Sequence, residues 1–252
     1  MTRATRWAAA AGLAATLLLA GCSGPAGVEA EPPAGVDIEA YDPDHPGNGL
    51  WLVSGDAAVA EIAEAVRAAG DVTYEGAFTE LVVPDDPEAA PSTGRALTVS
   101  FAGDPERFRA SLAAGDLAVD VVVSDGATYV RGNDAFAERS GVAAARDGYV
   151  CLASTAALDD WQPLLDPSRL VAELLRGAEE VSVMVPPADA ATTDVVVGGS
   201  ETPTGTMTVA AVGAPLPQEF VAGDASGDGR FAFAGWGEDV PVSAPADIAQ
   251  GC

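Results

Sequence analysis

The chain has 252 residues, 48% of them hydrophobic, which suits one domain or at most two small ones. Its 38 acidic and 12 basic residues give a formal charge of −26, so phosphate backbones repel it and nucleic acid is excluded as the main partner. Every basic residue is arginine, which excludes Schiff-base chemistry and a phosphate-loop lysine, and the single histidine, His45, would have to carry any Ser-His-Asp or Cys-His mechanism.

The first 22 residues stand apart from the fold. Arg3 and Arg6 precede an apolar stretch of 13 residues, Ala8 to Ala20, too short for a bilayer that needs about 20. The stretch runs into Leu19-Ala20-Gly21-Cys22. This resembles the bacterial lipobox, which makes residues 1–21 a lipoprotein signal peptide and Cys22 a diacylated, palmitate-bearing first residue. An ordinary secretory signal with a chance cysteine is the plainer alternative, and it leaves the agreement of region, length and box unexplained. The mature chain is then expected on the extracytoplasmic face of the cell membrane, held by its acyl chains at about 0.8 kcal/mol per buried CH₂. Residues 22–50 read as the lipidated cysteine and a flexible tether, rich in Gly and Pro (Ser23-Gly24-Pro25, Glu31-Pro32-Pro33). Within it, Asp42, Asp44 and His45 could ligate a metal, but a solvated linker is the preferred reading, so no metal is expected. With Cys22 lipidated, Cys151 and Cys252 remain as an even pair in an oxidising compartment and predict a disulfide.

Residues 51–252 are expected to form a single domain. Val59, Ile62, Ala63 and Val66 make one apolar stripe on a helix from Ser54 to Ala69, closed by Gly70. The period then changes to two: Val72, Tyr74 and Phe78 alternate with Thr73, Glu75 and Thr79 up to the turn-rich Pro84-Asp85-Asp86-Pro87. Strands follow at Leu97–Phe101, Arg107–Leu112 and Leu117–Val123. Ser124-Asp125-Gly126 predicts a tight hairpin returning through Ala127–Arg131. Asn133–Ser140 suits a short helix, and Gly148–Ala153 a strand carrying Cys151. Asp166 as N-cap and Pro167 at the first helical position open a further helix, with Leu170, Val171, Leu174 and Leu175 as its stripe and Gly177 at its end. Four strands close the chain: Val181–Val185, Thr193–Val197, Thr206–Val212 and Arg230–Trp236, the last extended by Val240–Ser243. Hairpin-length loops argue for antiparallel pairing, and no Gly-rich loop joins a strand to a helix, which excludes a nucleotide fold.

Several stretches carry a family resemblance. They are the helix and strand at 56–82, the hairpin Val119–Gly132, Leu164-Leu165-Asp166-Pro167-Ser168-Arg169-Leu170, and the closing Ala225-Ser226-Gly227-Asp228-Gly229-Arg230-Phe231 with Trp236-Gly237 and Pro241-Val242. In this order, over roughly residues 55–245, the chain resembles the LppX/LprG/LprF-type mycobacterial lipid-binding lipoproteins, which share a LolA/LolB-like half-shell. The resemblance implies an α+β fold: a strongly curved antiparallel sheet with helices on its concave side and acyl chains between them. It also implies a cell-envelope lipoprotein that binds or carries a lipid or glycolipid, with no cofactor and no catalysis. The acidic body and the cysteine pair are departures from that pattern.

On this reading Leu97, Val99, Phe101, Leu117, Val119, Val121 and Val123 supply the apolar face of the sheet, Val183, Met207, Val209, Phe231 and Phe233 extend it, and the helix stripes Val59, Ile62, Val66, Leu170 and Leu174 cover it. All of these but Leu117, Val123, Val183, Phe231 and Phe233 are the candidate lining of a lipid cavity. Alternation and stripes do not decide whether the layers stand apart or fill the space with core. If they are filled, the protein is an envelope interaction lipoprotein whose acidic surface meets a basic envelope protein. A hydrolase is the third reading. Asp224, Ser226, Asp228 and Gly229 begin like a calcium loop, but Gly235 stands where a bidentate Glu is required, so a plain hairpin is preferred. Asp159-Asp160 and Glu179-Glu180 are adjacent acids rather than carboxylates facing across a cleft. Trp161 and Trp236 are read as packing rather than sugar platforms.

Overall fold

The structure, a computed structural model, describes residues 47–82, 92–176, 180–199, 202–223 and 229–252. Arg3, Arg6, Cys22, His45, Gly177, Glu179 and residues 224–228 lie outside the described residues.

Three helices are described, α1 (Gly55–Ala69), α2 (Asp134–Ser140) and α3 (Pro167–Arg176). The strands fall in two runs. The first is β1 (Val72–Val82), β2 (Ser92–Asp104), β3 (Arg107–Ala114), β4 (Leu117–Ser124), β5 (Ala127–Gly132) and β6 (Tyr149–Cys151). The second is β7 (Val181–Val183), β8 (Thr192–Gly199), β9 (Thr202–Ala210), β10 (Pro217–Ala222), β11 (Gly229–Ala234) and β12 (Ile248–Gln250). All belong to one sheet, in the order β12-β6-β5-β4-β3-β2-β1-β11-β10-β9-β8-β7. The sheet is curved and does not close, and among the described strands only the β12–β6 pair is parallel. The fold is therefore α+β.

Two meanders meet at β1, which pairs antiparallel with both β2 and β11. Short turns build them. At the β4–β5 hairpin Asp125 (φ 53°) and Gly126 (φ 75°) are both left-handed, which matches the twist of the flanking strands.

Register puts the apolar set on one face, because directly paired residues point to the same side. One row runs Val121–Ala110–Phe101–Tyr74–Phe233 across β4, β3, β2, β1 and β11. A second runs Val119–Leu112–Val99–Gly76–Phe231–Phe220–Met207–Val195. A third, toward the end where β1 finishes, runs Leu117–Ala114–Leu97–Phe78–Gly229. The helices cover this face. On α1 the buried stripe is Ala58, Ile62 and Val66, and α1 lies against α3. Asp166 caps α3, its Oδ1 accepting from the Ser168 and Arg169 amides at 2.9 and 3.1 Å, while Leu170, Val171 and Leu175 are buried. Asn133 caps α2 by accepting from the Phe136 amide at 3.0 Å, and its Nδ2 donates to the Asp116 carbonyl at 2.6 Å.

Four expectations need correction. Residues 47–50 belong to the body, not to the tether: the Asn48 amide donates to the Ala211 carbonyl at 2.7 Å, its side chain donates to the Ala210 carbonyl, and Leu50 is fully buried. An apolar Leu50-Trp51 pair must find cover whatever the composition of its neighbours. Strand β10 went unseen because it begins at a proline, which a strand tolerates at its first position. A 3₁₀ segment, Thr155–Leu164, was not anticipated, since Pro163 interrupts any helical stripe. Val240–Ser243 does not extend β11; it belongs to a C-terminal strap.

That strap is held along its length. Asp71 accepts from the Gly237 amide through its carbonyl (2.8 Å) and from the Val240 amide through Oδ2 (2.6 Å). Arg107 bridges Asp71 and Asp239, Arg109 donates to the Pro241 carbonyl, and Arg131 pairs with Asp247 at 3.2 Å. The strap then forms β12 beside β6, and a Cys151–Cys252 disulfide fastens it there, with the two Cα atoms 5.0 Å apart.

Candidate functional site

The helix-covered face differs from end to end. Where β1 begins, it is packed solid by aromatic rings. Tyr74 stacks on Phe101 at 4.7 Å between centroids, Phe101 on Phe108 at 5.0 Å, and Phe233 on Trp236 at 6.0 Å. The Tyr74 hydroxyl is buried and donates to the Leu164 carbonyl at 2.6 Å. Burial, with Asp166 adding to it, pushes its ionisation well above the ordinary tyrosine range.

Where β1 ends, the same face opens into a cavity of about 820 Å³. Its sheet wall is Phe78, Leu97, Leu117, Phe220, Ala222 and Phe231, and its helical wall is Phe136 of α2, Trp161 and Leu164 of the 3₁₀ segment, and Leu170 and Leu174 of α3. Small residues create the space. A Cβ on Gly205 would sit 2.5 Å from the tip of the Phe220 ring, and one on Gly76 would sit 2.2 Å from the Phe231 ring. Both rings therefore lie down over a glycine instead of standing up into the gap. Deep residues such as Leu97, Phe136, Trp161, Leu170 and Phe231 are buried, whereas the charged members of the lining, Arg95, Arg139, Asp160 and Glu173, are exposed and form a rim. The result is an apolar pocket with a polar mouth, of the size range, about 300–1,000 Å³, typical of small-molecule sites.

Of the sequence candidates, Leu97, Leu170 and Leu174 border this cavity. Ile62, Val66, Val99, Phe101, Val119, Val121, Met207 and Val209 are buried away from it in filled core, and Val59 packs against that core. Phe136, Trp161, Leu164 and Phe220 were not among the candidates; the first three come from short helical segments whose period is too brief to read. Trp236 donates from Nε1 to the Pro217 carbonyl at 2.7 Å, a packing role.

The opposite face carries a shallower depression of about 800 Å³ between Glu75, Ser100, Ser111, Asp120, Arg131 and Arg230. Its arginines are engaged: Arg131 with Asp120 at 2.8 Å and over the Tyr149 ring, Arg230 with Glu219. Among the described residues no three His, Cys, Asp or Glu side chains gather to hold a metal ion, and no helix is long and apolar enough to cross a membrane.

No protein-family model matches the chain, and no curated protein does. Among solved structures, the crystal structure of LprF from Mycobacterium bovis is similar at 12% sequence identity, covering 75% of this chain and 95% of that one, with a TM-score of 0.42. The fold class accordingly rests on the strand order and the placement of the helices given above.

Proposed function

We propose that the protein is a membrane-anchored envelope lipoprotein that takes the apolar part of a lipid or glycolipid into the cavity between β1, β2, β10, β11 and the helices. Residues 1–21 are the signal peptide, Cys22 carries the diacylglycerol, and the chain from there to residue 46 is the tether. The carrying observation is the cavity of about 820 Å³ in a face that is otherwise filled. Each CH₂ moved from water into such a space contributes about 0.8 kcal/mol, so a tail of moderate length suffices for stable retention. The reading is one of binding, not turnover.

The test is native mass spectrometry of residues 22–252 carrying Cys22→Ser, which removes the covalent acyl chains. Extra mass of lipid size that disappears on denaturation is the expected result. A bare mass that persists after incubation with envelope lipid extract would overturn the reading. The second reading, a lipoprotein whose acidic surface meets a basic envelope protein, is favoured by the charge of −26. It expects instead a partner captured at low salt and released at high salt.

A further inference from the structure

We infer that the ligand's head is zwitterionic, a phosphate diester joined to an ammonium group; the inference rests on the cavity reading and goes on to name the ligand's chemistry. In a chain with 38 acidic and 12 basic residues, the charged rim of the cavity is balanced, two arginines to two acids. The two signs come from different elements. Arg95 lies on β2 and Arg139 on α2, and the β3–β4 turn sits beside both. A Cβ on Gly115 of that turn would be 3.7 Å from the Arg95 Cβ, and Asp116 of the same turn is 3.8 Å from the Arg139 guanidinium. Asp160 and Glu173 lie on two further elements, the 3₁₀ segment and α3. Arg139 with Asp116, and Glu173 with Arg176 at 2.9 Å, are exposed pairs. Exposed pairs of this kind are worth little and exchange readily for a ligand group. Guanidinium is the side chain best matched to a phosphate, and carboxylates match an ammonium. An anionic head alone meets repulsion from Asp160, Glu173 and the acidic body; a cationic head alone meets the arginines. A head with both charges, entering tail first, meets a complement to each.

The experiment uses residues 22–252 with Cys22→Ser and four twelve-carbon amphiphiles below their micelle concentrations: dodecylphosphocholine, dodecyl phosphate, dodecyltrimethylammonium and dodecyl maltoside. Of the tryptophans, Trp161 lines the cavity and reports entry by fluorescence. Dodecylphosphocholine should bind about fivefold to tenfold more tightly than each of the others. The double variant Arg95→Gln/Arg139→Gln should bring dodecylphosphocholine down to the level of the maltoside and keep the maltoside affinity. Glu173→Gln/Asp160→Asn should likewise remove the phosphocholine margin and keep the maltoside affinity. Equal binding of all four overturns the head assignment and leaves the cavity reading standing. Tighter binding of dodecyl phosphate, or a matching loss of maltoside affinity in the arginine variant, also overturns the assignment. Failure of every amphiphile to perturb Trp161 overturns the cavity reading itself.

Discussion

The two ends of one sheet face make opposite use of the same strands. Toward the start of β1, Tyr74, Phe101, Phe108 and Phe233 stand up from neighbouring strands and stack, and the helices close over them. Toward its end, Phe220 and Phe231 lie over Gly205 and Gly76, and a cavity of about 820 Å³ remains under the same helical cover. Alternation, pairing and burial are alike at both ends. One difference is that Phe220 and Phe231 lie over glycines, whereas Tyr74 and Phe101 stack on each other. Packed interiors tolerate few voids, so an opening of this size is a built feature and costs stability that the packed end must supply.

That contrast can be broken or sharpened by substitution. The largest effect is expected from Phe101→Ala, which empties the aromatic stack and should cost about 3–5 kcal/mol by denaturant unfolding. Cys252→Ser releases the strap and a loop of sequence separation 101; it should cost about 2–4 kcal/mol and leave ligand retention unchanged, because the strap does not border the cavity. Tyr74→Phe leaves the buried Leu164 carbonyl without its donor and should cost about 1–3 kcal/mol. The same change alters the pH profile. The folded state holds the Tyr74 proton beyond the range in which an unfolded tyrosine releases it, near pH 10. The associated stability is therefore fully present below about pH 10 and lost as pH rises above it, and Tyr74→Phe should lack that alkaline decline. The smallest change in stability, within about 1 kcal/mol of the parent, is expected for Ala222→Leu, which adds a side chain where there is room. It should nonetheless reduce ligand retention measured by native mass spectrometry, and a destabilisation like that of Phe101→Ala would show that the cavity end is packed after all.

Much of the fold was legible because short-range chemistry dictates it. Asp166-Pro167 writes a helix start, Asp125-Gly126 a hairpin, and Leu117, Val119 and Val121 a strand face, and each stands where its residues imply. Strands β10 and β12 were not legible for different reasons. Pro217 hides the first, and the second, Ile248–Gln250, is an exposed trio that exists because the disulfide and β6 hold it. The cavity was the least legible part. Period-two alternation reports which face a residue takes and says nothing of how far the opposite layer stands from it. So Val99 and Leu97 read alike in sequence, yet one lies in filled core and the other on the cavity wall. The glycines that make the difference carry no pattern of their own.

The central place of β1 bears on how the molecule comes together. Its partner on one side is β2, the next strand in sequence; on the other it is β11, with Thr73 opposite Ala234. Hairpins within each meander close short loops and form early, whereas this seam must bring together strands separated by most of the body, the slowest kind of contact to close. A chain synthesised from its N-terminus presents β1 long before β11 has been made. During that interval one side of β1 is an unpaired edge, and Glu75 is a charge on it that discourages pairing with another chain until Ala232 arrives opposite.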